Sequence, residues 1–171
     1  HTQVNTLFPN FKLPEKGCVS LISQSGSLAI DLLLALQKNS IGLRRFVSYG
    51  NGADLNETDF LQYFGSDSET KVIGAYLEGV KAGRNFIRVS QAVARKKPIV
   101  ALKLPMTEEV TMAAKSHTGA VASKMGIYKE ILKQSGIIQC DSTRQFVNSI
   151  KALYTQPPAL SGSKIALVTN T

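Results

Sequence analysis

The chain has 171 residues, 43% of them hydrophobic and 19% charged, which is enough for one full α/β core and too short for two. Its 20 Lys+Arg against 12 Asp+Glu leave a net charge of +8, yet the basic residues are dispersed and no stacking pattern of aromatics runs among them, which argues against a nucleic-acid surface. No apolar run reaches membrane-spanning length, so neither nucleic acid nor a membrane is expected as a partner.

From residue 17 to residue 155 short apolar runs alternate with amphipathic ones. Val19–Ser23 reads as a first strand, followed by a helix over Gly26–Lys38 with Leu28, Leu32, Leu33 and Leu36 at helical spacing. Arg45–Tyr49 is a second strand, Asn51–Asn56 a polar loop and Glu57–Phe64 a short helix. Val72–Leu77 is a third strand, and the helix over Arg84–Arg95 places Phe86, Val89, Ala92 and Val93 on one face. Ile99–Leu102 follows Pro98 as a fourth strand, and Ser123–Gln134 forms a helix that Gly136 stops. Ile137–Cys140 is a fifth strand and Arg144–Leu153 a closing helix. Strands of four to six residues alternating with helices predict an α/β, flavodoxin-like three-layer domain with a five-stranded parallel sheet.

The two cysteines, Cys18 and Cys140, lie far apart in apolar strand-like runs and read as reduced core residues of a cytoplasmic protein. Arg95-Lys96-Lys97 reads as a helix end where cations favour the dipole. Both ends look cut. Residues 1–16 read as a linker from a preceding domain, and 17–155 as the α/β domain. Residues 156–171 read as a linker, marked by Gln156-Pro157-Pro158, and the first strand of a following, truncated α/β domain starting near Lys164.

Four short motifs carry possible chemistry. His117, in Ser116-His117-Thr118-Gly119-Ala120, is the only histidine besides residue 1. Imidazole is nucleophilic and changes protonation near neutral pH, and the small residues after it let backbone approach an anion closely. A lone loop histidine also serves as a surface or capping residue, and the residues alone leave both readings open. Gln24-Ser25-Gly26-Ser27 opens the first helix at the C-terminal edge of the sheet, where free N–H groups and hydroxyls suit an oxyanion and where a serine is equally an ordinary N-cap. Gly50-Asn51-Gly52 reads foremost as a tight turn. Glu78, at the end of the third strand, could hold a histidine ring nitrogen or simply face solvent. The sequence lacks clustered His and Cys for a metal, a Gly-x-Ser-x-Gly elbow, and the glycine signatures of dinucleotide and P-loop sites.

Taken together and in order, Val19–Ser27, Tyr49-Gly50-Asn51-Gly52, Tyr76-Leu77-Glu78-Gly79, Lys97–Lys103 and Ser116–Ala120 resemble the second domain of the ADP-forming (NDP-forming) acyl-CoA synthetases, relatives of the succinyl-CoA synthetase α subunit. The resemblance covers nearly the whole chain. It implies an acid–thiol ligase that interconverts acyl-CoA, phosphate and ADP with carboxylic acid, CoA and ATP through an acyl phosphate and a phosphohistidine. On that resemblance His117 and Glu78 are the catalytic residues, Glu78 orienting the imidazole. Ser25, Gly26, Ser27, Thr118, Gly119 and Ala120 bind the phosphoryl group. The resemblance also implies CoA, phosphate and ADP/ATP with Mg, the nucleotide and most CoA contacts lying on other domains. Its partners are an acyl-CoA substrate and an ATP-grasp domain or subunit, in an oligomer at full length, with this fragment inactive alone. The family's Gly-Arg-Thr-rich loop is replaced by Leu104-Pro105-Met106-Thr107, and Ser123-Lys124-Met125-Gly126 stands where an aspartate is common. The other open reading is a non-catalytic ligand-sensing module of an acyltransferase or scaffold protein.

Overall fold

The computed structural model describes residues 11–104, 125–156 and 168. Five strands and five helices alternate along them: β1 (Lys16–Ser23), α1 (Gly26–Lys38), β2 (Leu43–Ser48), α2 (Glu57–Ser66), β3 (Val72–Tyr76), α3 (Gly83–Ala94), β4 (Ile99–Leu102), α4 (Met125–Gln134), β5 (Ile138–Cys140) and α5 (Thr143–Thr155). The strands form one all-parallel sheet in the order β2-β1-β3-β4-β5, the flavodoxin-like order expected from the alternation.

Burial on both faces explains why β3 and β4 carry almost no polar residues. Val19 and Leu21 of β1, Val72 of β3 and Val100 and Leu102 of β4 point to one face, under Leu32, Leu33 and Leu36 of α1 and Phe146, Val147 and Ile150 of α5. Ile22, Ile73, Ala75, Ile99 and Ala101 point to the other, under α2, α3 and α4 through Leu61, Phe64, Phe86, Val89, Val93 and Leu132. The alternation along each strand is the period of two that separates the faces of a sheet. Each fully buried Leu, Ile or Phe removes enough apolar area from water to contribute about 1.5–3 kcal/mol. At the centre of β3, Gly74 makes room for α5: a Cβ there would come within 2.9 Å of the Phe146 ring and 3.0 Å of both Ile150 and Leu21.

Element boundaries shift by a few residues from expectation, and three placements change. β1 starts at Lys16 rather than Val19, because its first residues pair irregularly with β2 before the register settles at Ser20. Cys18 lies in that irregular stretch and is half-buried, whereas Cys140 is buried; both are free thiols. Ala92 of α3 is exposed, and Ser90 is buried with Phe86, Val89 and Val93. Positions 86, 89, 90 and 93 follow the helical repeat, while 92 falls about 240° around from 86. The Lys97 side chain does not serve its own helix. Its Nζ donates to the carbonyls of Phe64, at 3.1 Å, and Asp67, closing the C-terminus of α2.

The N-terminal edge of the sheet consumes part of the positive charge. Asp67 Oδ2 accepts from Arg44 Nε at 3.2 Å, Arg45 Nε at 3.0 Å and Thr70 Oγ1 at 2.9 Å, and Arg44 also pairs with Glu69. Thr70 Oγ1 in turn bonds Ser20 Oγ at 2.8 Å, so the polar residue inside β1 has its partner. Among the described residues no helix is long and apolar enough to cross a membrane. Of the segment 164–168, expected to stand outside this sheet, residues 164–167 lie outside the described residues.

Candidate functional site

A parallel sheet carries its ligands at the C-terminal ends of its strands, and here that edge gathers polar side chains that the sequence scatters over eighty residues. The chain leaves β1 at Ser23 and enters α1 through Ser25. Ser23 Oγ donates to the Ser25 carbonyl at 2.7 Å and accepts its N–H at 3.2 Å, which fixes the corner. Ser25 is the N-cap of α1: its Oγ accepts from the Leu28 N–H at 3.3 Å and shares a hydrogen bond with Ser27 Oγ at 3.2 Å. The N-cap reading of this serine is the one its hydrogen bonds show. One hydroxyl hydrogen of the Ser25–Ser27 pair is used within it, and the other is left to donate outward. Gly26 and Ser27 are exposed, and no acidic residue occupies the first turn of α1. The positive end of the α1 dipole is thus left uncompensated by the helix itself, the electrostatics an anion requires.

Glu78 follows β3 on the same edge. The glutamine between strand and cap ties it to the start of α1. Gln24 N–H donates to the Tyr76 carbonyl at 3.1 Å, and Gln24 Oε1 accepts from the Glu78 N–H and, at 3.1 Å, from the Gly79 N–H. From the other side Lys103, just beyond β4 and 8% exposed, donates from Nζ to the Glu78 carbonyl at 2.6 Å. Burial pushes the Lys103 ammonium below its ordinary pKa, and the Glu78 charge opposes that shift. Tyr76 is 9% exposed, and burial together with the neighbouring Glu78 carboxylate pushes its phenol up to about 12.

The next crossover is tied to this one by a second carboxylate. Glu57, the first residue of α2, is completely buried. Its Oε1 accepts from the Lys81 N–H at 3.0 Å and its Oε2 from the Tyr49 hydroxyl at 3.4 Å, while Lys81 Nζ donates to the Gly52 carbonyl at 2.7 Å. Gly50 and Gly52 both have positive φ, 56° and 58°, and Gly52 N–H donates to the Tyr49 carbonyl at 3.1 Å. That is the tight turn expected of Gly50-Asn51-Gly52.

The structure thus brings Ser25, Gly26, Ser27 and Glu78 to one edge of the sheet. His117, Thr118, Gly119 and Ala120 lie outside the described residues. Gln24, Lys103, Tyr76 and Glu57 carried no role on sequence grounds. Gln24 and Lys103 had a signal: each is a polar residue immediately after an apolar strand, the position that a parallel sheet turns toward its binding edge.

This sheet order, with hydroxyls, a helix start and the backbone-held Glu78 at its C-terminal edge, defines a flavodoxin-like α/β domain. The chain belongs to the succinyl-CoA ligase like flavodoxin domain family, whose model matches residues 16–153. It is 38% identical over 99% of its length to the acetate–CoA ligase [ADP-forming] II subunit alpha of Pyrococcus furiosus, of which it covers 36%. It is 41% identical, again over 99% of its length, to the acetate–CoA ligase [ADP-forming] of Methanocaldococcus jannaschii, of which it covers 24%. Among solved structures, the dinucleotide forming acetyl-coenzyme A synthetase 1 of Ca. Korarchaeum cryptofilum, in complex with phosphate and ADP, superposes with a TM-score of 0.78 at 42% identity, over 84% of this chain and 31% of that one. The chain therefore spans about a quarter to a third of these relatives.

Proposed function

We propose that this chain is the phosphohistidine domain of an ADP-forming acyl-CoA ligase of the cytoplasm. The observation that carries the reading is the meeting of Glu78 with the start of α1 through Gln24, in a domain whose relatives are named as ADP-forming CoA ligases. In the proposed sequence, inorganic phosphate attacks the thioester carbon of the acyl-CoA and expels CoA, giving an acyl phosphate. An imidazole nitrogen of His117 then attacks phosphorus and releases the carboxylate. The terminal oxygen of ADP finally displaces the phosphoryl group from His117, giving ATP, and every step is reversible.

The groups at the sheet edge suit these transfers. An uncompensated helix N-terminus with Gly26 and Ser27 exposed offers preorganised donors to the phosphoryl oxygens, and such donors need no reorganisation when charge develops. Glu78 receives the other ring nitrogen of His117, fixes the tautomer and stabilises the cationic imidazole. Thr118, Gly119 and Ala120 complete the phosphoryl cradle. The acyl-CoA and most of its CoA contacts, the nucleotide with Mg, and the ATP-grasp part that carries the nucleotide lie on other domains or a partner subunit of an oligomeric enzyme.

The deciding experiment is acid-labile phosphohistidine detection on the full-length protein supplied with labelled ATP. Label is expected on the wild type and lost in His117→Ala. Equal labelling of His117→Ala overturns the proposal.

A further inference from the structure

We infer that Lys103 is a positioning residue of the phosphoryl-transfer site, its buried ammonium clamping the backbone of Glu78 against Gln24 and so setting where the carboxylate stands. The inference rests on the phosphohistidine reading above and adds to it a residue which that reading did not use.

The sheet ladder runs out just before Glu78. The β3–β4 pairing ends at Tyr76 and Leu102, and the next bond, from Leu77 N–H to the Leu102 carbonyl, stretches to 3.5 Å. Beyond it the ladder no longer determines the path of the chain. At Glu78 two side chains take over from opposite sides. Gln24, from the end of β1, accepts its N–H, and Lys103, from the end of β4, donates to its carbonyl. Both backbone groups of Glu78 are thereby held by neighbours from two different strands. The position of Lys103 is itself fixed, since its N–H donates to the Cys140 carbonyl at 3.0 Å and continues the pairing with β5.

The choice of lysine is informative because a buried ammonium is costly to desolvate. The carbonyl of a partly exposed residue at a strand end can be satisfied by water at little cost. Fold stability alone gives no reason to bury a long cation there. A cation beside Glu78 does what water cannot: it fixes the carbonyl to one place.

A double-mutant cycle on the full-length protein with its ATP-grasp part tests this. The readout is the single-turnover rate at which γ-phosphate-labelled ATP labels His117, with thermal melting as a fold control. Lys103→Met is expected to slow labelling about ten- to a hundredfold, as loss of a group that orients a reacting one does, with a melting curve close to wild type. In a Glu78→Gln background the same substitution is expected to add little, because the clamp then has no carboxylate to place. If Lys103→Met fails to fold, Lys103→Gln is put through the same cycle and read by the same rule. Labelling at wild-type speed, or losses from the two substitutions that multiply, overturns the inference and leaves the phosphohistidine reading standing. Undiminished label in His117→Ala overturns that reading and the inference with it.

Discussion

Asp67 and Glu78 are carboxylates at opposite edges of one sheet, and their neighbours give them different work. Burial pushes the Asp67 carboxyl up, but hydrogen bonds from Arg45, Thr70 and Arg44 outweigh it and hold the group well below the usual carboxylate range. A depressed folded pKa stabilises the native state above the unfolded value of about 3.9, and that contribution disappears as pH falls from there through the folded value. Asp67→Asn is therefore expected to cost about 2 kcal/mol at neutral pH and much less at pH 2, read by urea unfolding at both pH values. An equal loss at both would remove the charge from the explanation. Glu78, by contrast, is held through its backbone by Gln24 and Lys103 and sits beside the Tyr76 phenol. Glu78→Gln is expected to leave the melting curve unchanged and to lose about 2–4 kcal/mol of transition-state stabilisation for histidine phosphorylation, as removal of one preorganised partner does. Undiminished labelling of that variant in the full-length enzyme would end its assigned role.

Among the elements, α2 and β3 show how packing and site are joined. The start of α2 is closed by a capping box, Asn56 Oδ1 accepting from the Thr58 N–H at 2.9 Å and Asp59 Oδ2 from the Asn56 N–H at 2.9 Å. Its first residue, Glu57, is thereby fixed with its carboxylate under the β3–α3 loop, where it receives the Lys81 N–H. Glu57→Ala leaves that amide without its partner. It is expected to cost about 1–3 kcal/mol and to speed hydrogen exchange at Lys81 well beyond that of the β3 amides. Unchanged protection of Lys81 would show that the loop is held by other means. Under β3, Gly74→Val forces side chain into Phe146, Ile150 and Leu21, and urea unfolding should register a loss of about 1–3 kcal/mol or more.

At the scale of the molecule, the helix starts divide the labour of the C-terminal edge. α2 carries Glu57 and Asp59 in its first turn, whereas α1 and α3 carry no acidic residue there, and α3 has no side-chain cap. Negative ligands are thus favoured at α1 and α3 and repelled at α2. On the proposed reading the nucleotide and most CoA contacts lie on other domains, so these 171 residues alone are expected to fold and to make no ATP from acyl-CoA, phosphate and ADP. Efficient turnover by the isolated chain would contradict that division.

Helix α1 was legible because Leu32, Leu33 and Leu36 repeat at the helical period and a serine opens the run, and β3 and β4 because they are short, apolar and bounded by turn residues. Those are local signals, carried by each segment whether or not its neighbours are present. The parallel sheet followed from their alternation, and the family resemblance from short motifs in order. Other features were decided only by the tertiary structure. Lys97 looked like the end of α3 and serves α2, because helices that neighbour in space need not use their own cations. Ala92 lost its buried place to Ser90, because burial follows helix phase rather than apolarity alone. Gln24 and Lys103 looked like ordinary polar residues after strands. The sequence separates them from Glu78 by 54 and 25 positions, and no period or propensity relates residues so far apart. They meet because β3 is hydrogen-bonded between β1 and β4, so that one register brings three strand ends level and their side chains within reach of the same backbone.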